Sequence, residues 1–210
     1  MTDSTKPKFF LLGDSISIHY TPFLRERMAP WADLARKGGD EHKPANLDKA
    51  DALNGGDSTA CLDYLYERLQ NPKFKYDWIL LNCGLHDIKR NVKPPRALQV
   101  PPEKYEANLN EIIFLMQRYS QRLCWISSTP AFEDVHNKPE SMFHRFHADI
   151  QYYNALAAGL CKANNIPIID LYAFTLPHCP GAFCDHVHFT EEIRALQAEF
   201  LEMQIRKLDV

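Results

Sequence analysis

FFLLGDS, residues 9–15, runs four apolar side chains straight into Gly13, Asp14 and Ser15. A segment too short for a helix, with consecutive rather than alternating apolar residues and a glycine at its end, has the pattern of a strand buried on both faces. Ser15 is then either a nucleophile presented at a strand end or the cap of the next helix, since both uses favour a serine after a turn.

Working outward, similar apolar runs recur at Trp78 to Asn82, Leu123 to Ser127 and Ile166 to Leu171, and the first run extends from Lys8 to Leu12. A fifth, poorly marked strand is expected at Trp31 to Ala35 or at Ala50 to Leu53, before or within the polar, aperiodic region from Arg36 to Asn54. Segments of helical period lie between the runs. Ser58 to Leu69 puts Cys61, Leu62, Leu65 and Leu69 on one face, with Ser58 as the expected N-cap. Glu103 to Tyr119 follows the Pro101-Pro102 pair, which favours a helix start. Helices are also expected near Tyr20 to Met28, over Phe143 to Ala163, and over Glu191 to Lys207 behind a Thr190 cap. Strand then helix, repeated, predicts an α/β fold with a parallel sheet of about five strands covered on both faces, a three-layer α/β/α sandwich of flavodoxin-like order.

The 210 residues are expected to form a single domain, residues 1–210, because no linker or repeat divides them. Charged residues make up 24% of the chain, and 24 basic against 27 acidic residues leave a net charge of -3, which gives no electrostatic reason to expect nucleic acid. A small-molecule substrate is the expected partner. The N-terminal MTDSTKPK has no apolar leader and no run reaches the roughly 20 residues of a membrane span, so the chain as it stands reads as cytoplasmic, or as secreted if a leader was removed upstream. Six scattered cysteines do not form a disulfide framework. Cys179, Cys184, His186 and His188 match no common zinc spacing, so neither a metal nor an organic cofactor is expected.

In a parallel sheet, ligands gather beyond the carboxyl ends of the strands. There stand Gly13-Asp14-Ser15, then Asn54-Gly55-Gly56-Asp57-Ser58, then Gly84-Leu85-His86-Asp87, and late in the chain Asp185-His186-Val187-His188. In this order the four blocks resemble the SGNH, or GDSL, hydrolases: the GDS nucleophile block, the glycine before Asp57, and a D-x-x-H block followed by Phe-Thr. The third block departs, since His86 occupies the place of the family's asparagine.

The resemblance implies a serine ester hydrolase with Ser15 as nucleophile, His188 as base and Asp185 as its orienting acid. It also implies an oxyanion hole made from the backbone N–H groups of Ser15 and Gly56 and the side chain of His86. The chemistry is consistent on its own terms. A serine hydroxyl needs a base within hydrogen-bond reach, a third group to hold that base, and donors for the developing charge. A neutral imidazole has one N–H and can replace an asparagine as donor if that N–H points into the hole.

Asp14 could be a second catalytic acid but fits a cap better, and Asp57 reads as a turn or cap. Asp87 either orients His86 or anchors its loop, and His186 is a rival base disfavoured by spacing. The segment Ile88 to Pro102, with Lys89, Arg90, Lys93 and Arg96, is expected to rim the site, and a second rim is expected after the fourth strand, at Thr129 to His147, containing Phe132, His136, Phe143, His144 and His147. No long apolar channel is evident, so short acyl groups, acetyl esters on carbohydrate among them, are the expected substrates. The same triad would also serve an acyltransferase, a lysophospholipase or a thioesterase, and loss of the asparagine leaves a catalytically silent binding module as the remaining alternative.

Overall fold

The computed structural model describes residues 6–39, 53–94, 96–179 and 181–208. Along the chain run β1 (Lys8–Leu12), α1 (Ser15–Met28), β2 (Asp33–Arg36), α2 (Ser58–Leu69), β3 (Trp78–Leu81), β4 (Arg90–Asn91) and α3 (Pro102–Arg118). Then follow β5 (Arg122–Ile126), α4 (Glu133–His136), β6 (Phe143–His144), α5 (His147–Ala163), β7 (Ile168–Ile169), α6 (Leu171–Thr175) and α7 (Glu191–Ile205). Five strands form one parallel sheet in the order β2-β1-β3-β5-β7, the expected flavodoxin-like arrangement.

The opening stretch forms an inner strand of this sheet, second in the order. Phe10 pairs in register with Ala35 on one side and Ile79 on the other. Phe9 meets Trp31 edge-on at 5.9 Å, whereas Phe10 meets Phe74 and Tyr76 at 4.8 and 5.0 Å, so adjacent side chains fill opposite faces. Helix α1 packs on α7, and α2, α3 and α5 pack in sequence as the second layer. The sheet order reverses between β1 and β3, which brings Gly13 to Ser15 beside Asn82 to Asp87 at one sheet edge.

Several expectations needed correction. The second strand lies at Asp33–Arg36, two residues later than the first alternative, and most of the other alternative, from Ala50, falls outside the described residues. The first helix begins at Ser15 rather than near Tyr20, because Asp14 caps it by accepting the Ile16 N–H at 2.9 Å. Asp57, not Ser58, caps α2, and the Thr190 side chain makes no capping bond at α7. The helix expected from Phe143 starts only at His147: Phe143 and His144 form an antiparallel pair with Arg90 and Asn91, a long-range pairing that overrides local periodicity. His144 therefore shares no helix with His147. The last strand shortens to Ile168–Ile169 and lies at the sheet edge, with Ile168 41% exposed, because Asp170 caps α6 immediately after it.

One contact locks the second block to the first. The Gly55 N–H donates to the Gly13 carbonyl at 2.8 Å, and a Cβ at Gly55 would stand 2.9 Å from that oxygen and 3.0 Å from its carbon. Backbone on both sides leaves no flexible group to yield. Gly55→Ala is therefore expected to lower stability by about 1–3 kcal/mol, read as a fall in melting temperature. Gly56, at φ +76°, meets the separate demand for a left-handed turn.

Candidate active site

Ser15 is the first residue of α1, at the carboxyl end of β1, and is 8% exposed. Its N–H lies in the first helical turn, where backbone donors have no helical carbonyl to meet. The late block comes from a tight loop: Phe183 and Phe189 bridge as antiparallel partners with rings 5.0 Å apart, and the Cys184 N–H donates to the His188 carbonyl at 2.9 Å. This clasp leaves Asp185 and His188 on one short span facing α1.

The Ser15 Oγ lies 2.8 Å from His188 Nε2, and His188 Nδ1 lies 2.7 Å from Asp185 Oδ2. The other carboxylate oxygen, Oδ1, accepts from the backbone N–H groups of Val187 and His188 at 2.8 and 2.7 Å. Partial burial by itself would raise the Asp185 carboxyl, but the His188 bond and these two donors prevail and hold it well below the usual carboxylate range. An ionised Asp185 only accepts, so His188 Nδ1 carries the proton and Nε2 is left to accept from the serine hydroxyl. His188 itself is 1% exposed.

The remaining predicted residues fall around this line. His86 is buried, and burial first, then the charges of Lys89, Arg145 and His188, hold its ring well below the usual imidazole range, so it stays neutral. Asp87 accepts from the Ser58 N–H with both oxygens, at 2.9 and 3.1 Å; it anchors α2 to the third block rather than orienting His86. Burial, opposed by the Ser58 bonds, pushes its carboxyl up to about 7. The Gly56 N–H already donates to Asn54 Oδ1 at 2.8 Å, so in the resting site that donor is engaged within its own turn. Asp14 serves as a cap through Oδ1, while its Oδ2 is buried without a hydrogen-bond partner among the described residues.

His188, not His186, meets the Ser15 hydroxyl; the His186 Nδ1 is 3.9 Å from Asp185 and its ring meets His136 at 4.9 Å. The rim histidines are committed elsewhere. His136 accepts from the Arg145 guanidinium at 2.7 Å, and His147 bridges the Ala131 carbonyl and the Tyr172 hydroxyl at 3.1 and 2.8 Å. Among the described residues, no group of three or more His, Cys, Asp or Glu side chains is placed to hold a metal. In the basic rim, Arg90 forms a two-pronged pair with Asp149 at 2.7 and 2.9 Å, while Lys93 and Arg96 remain exposed. No described helix is long and apolar enough to cross a membrane.

Two residues near the site were not singled out from sequence. His19 packs its ring 4.7 Å from His188, and burial, with the His188 and Arg194 charges, pulls it down to about 3, which keeps it neutral. Its position four residues after Ser15 on one helix face was the available signal. Arg145 is buried and donates to the Leu85 carbonyl at 2.7 Å, holding the third block; nothing local in the sequence marks it.

Solved structures share this architecture at low identity. The lipase/acylhydrolase from Enterococcus faecalis is 17% identical, with 95% of each chain covered and a TM-score of 0.67. An acetyl xylan esterase is 18% identical over 94% of this chain and 99% of that one, TM-score 0.67. A carbohydrate acetylesterase from Sinorhizobium meliloti is 14% identical over 97% and 100%, TM-score 0.66. No curated protein matches in sequence. The GDSL-like lipase/acylhydrolase family model matches residues 11–196, a span that runs from the strand delivering Ser15 past the loop carrying Asp185 and His188. With nearly the whole chain under that match, the protein belongs to the GDSL-like lipase/acylhydrolase family and is a carboxylic ester hydrolase.

Proposed function

We propose that the protein removes short acyl groups, acetyl foremost, from hydroxyls of carbohydrate, through an acyl-enzyme on Ser15. The observation that carries this reading is the unbroken line from Asp185 through His188 to Ser15 Oγ, at 2.7 and 2.8 Å. In the first half-reaction Ser15 Oγ attacks the ester carbonyl while His188 Nε2 takes its proton, and Asp185 stabilises the imidazolium. His188 then protonates the departing alcohol. In the second half-reaction the same base activates water against the acyl-enzyme, releasing the acid and restoring the serine.

The developing oxyanion is met by the Ser15 N–H at the positive end of α1, by the Gly56 N–H shared with Asn54, and by His86. Support for a carbohydrate alcohol comes from two of the neighbours named above, the acetyl xylan esterase and the carbohydrate acetylesterase, which act on acetylated carbohydrate by their descriptions.

The test is a panel of esters of increasing acyl length, with acetylated sugars included. Acetyl esters are expected to give the highest kcat/KM and octanoyl esters at least about tenfold less, as for a pocket without room for extra methylenes. A preference for long chains overturns the substrate assignment. Acyl transfer to an added alcohol in preference to water makes the protein an acyltransferase.

A further inference from the structure

The third block carries a device that the family asparagine does not need. Lys89, three residues after His86, places its Nζ 3.0 Å from His86 Nδ1. An ammonium only donates, so Nδ1 must be the acceptor of this bond. A neutral ring with Nδ1 accepting has its single proton on Nε2. That nitrogen has no hydrogen-bond partner among the described residues, and His86 keeps 5% of its surface accessible.

The lysine is itself held from a second side. Its Nζ lies 4.6 Å from the centre of the Phe143 ring on β6, so the strand pair that displaced the expected helix also sets the lysine against His86. We propose that Lys89 is a positioning residue for the reaction: by donating to Nδ1 it fixes His86 as the tautomer protonated at Nε2, a standing donor to the oxyanion in place of an asparagine amide. The proposal rests on the oxyanion role given to His86 above. Without Lys89, the buried Nδ1 would claim the proton or turn toward another donor. Nε2 would then present a lone pair to the negative oxygen, which repels it.

The role predicts a coupling that simple packing would not produce. Lys89→Met is expected to lower kcat about tenfold with little change in KM, less than the roughly 10²–10³ that losing an oxyanion donor outright costs. His86→Asn supplies an amide N–H that needs no tautomer, and its own kcat is the reference for the second comparison. In the His86→Asn background, Lys89→Met should then cost no more than about twofold, the remainder being coupling between the two residues. Lys89→Arg, which still only donates, should recover most of the loss.

Equal losses from Lys89→Met in both backgrounds would overturn the proposal, because a structural role or a substrate contact does not depend on which donor occupies position 86. Heteronuclear NMR of the imidazole nitrogens in the wild-type protein gives a second reading that requires no variant to fold. Nε2 protonated and Nδ1 bare supports the proposal, and the reverse overturns it. Failure of the ester-hydrolase reading would show separately, as absence of phosphonate labelling at Ser15, while the tautomer would still be read directly.

Discussion

Ser15→Ala is expected to lower ester hydrolysis by about 10⁴-fold or more while leaving the melting curve nearly unchanged. The asymmetry follows from where the hydroxyl sits. Among the described residues its one bond runs to His188 Nε2, at 2.8 Å, and the α1 terminus that holds it is capped independently by Asp14. Removing one such oxygen from a buried pair changes stability by about 1 kcal/mol. The reaction loses its only covalent route, and what remains is catalysis by the oxyanion donors and binding alone. A fluorophosphonate probe should label the wild-type protein on Ser15 and fail on the variant. If the wild type neither labels nor hydrolyses p-nitrophenyl acetate, the chain is a binding module on an esterase fold, and the resting geometry of its triad is unused.

The parts of this fold legible in the sequence were those where local pattern and tertiary demand agree. Runs such as Phe9 to Leu12 and Ile79 to Leu81 are apolar on consecutive residues because both sheet faces are covered, as an inner strand of a parallel sheet requires. The late block was legible because Asp185 and His188 are positioned by their own loop, so spacing carried the information. Where distant residues decide, the sequence was silent. Phe143 and His144 continue a helical pattern but pair with β4, and Arg145 is drawn inside by the Leu85 carbonyl, sixty residues away in the chain. The same limit applies to His86: that histidine could donate was a chemical possibility, and only the Lys89 contact says which nitrogen holds the proton.

Asp185→Asn is expected to lower kcat by about 10⁴-fold, and to do more harm than Asp185→Ala. In the asparagine variant the amide oxygen remains bound by the Val187 and His188 N–H groups, which hold Oδ1 at 2.8 and 2.7 Å in the native loop. The amide nitrogen then takes the place of Oδ2 and offers a donor to His188 Nδ1. A neutral imidazole meets a donor with its lone pair, so the proton moves to Nε2, the nitrogen that must accept from Ser15. With alanine the site is open: the native Asp185 side chain is 43% exposed, so water can enter and accept from Nδ1, which preserves the working tautomer. Stability should report the carboxylate's charge as well. Asp185 titrates below its unfolded value of about 3.9, so the ionised carboxylate stabilises the fold above that pH, and the contribution is lost as pH falls toward the folded value. The gap in melting temperature between wild type and Asp185→Asn should be full at neutral pH and close on acidification. An asparagine variant more active than the alanine variant would mean that the carboxylate acts through its charge alone and not by setting the His188 tautomer.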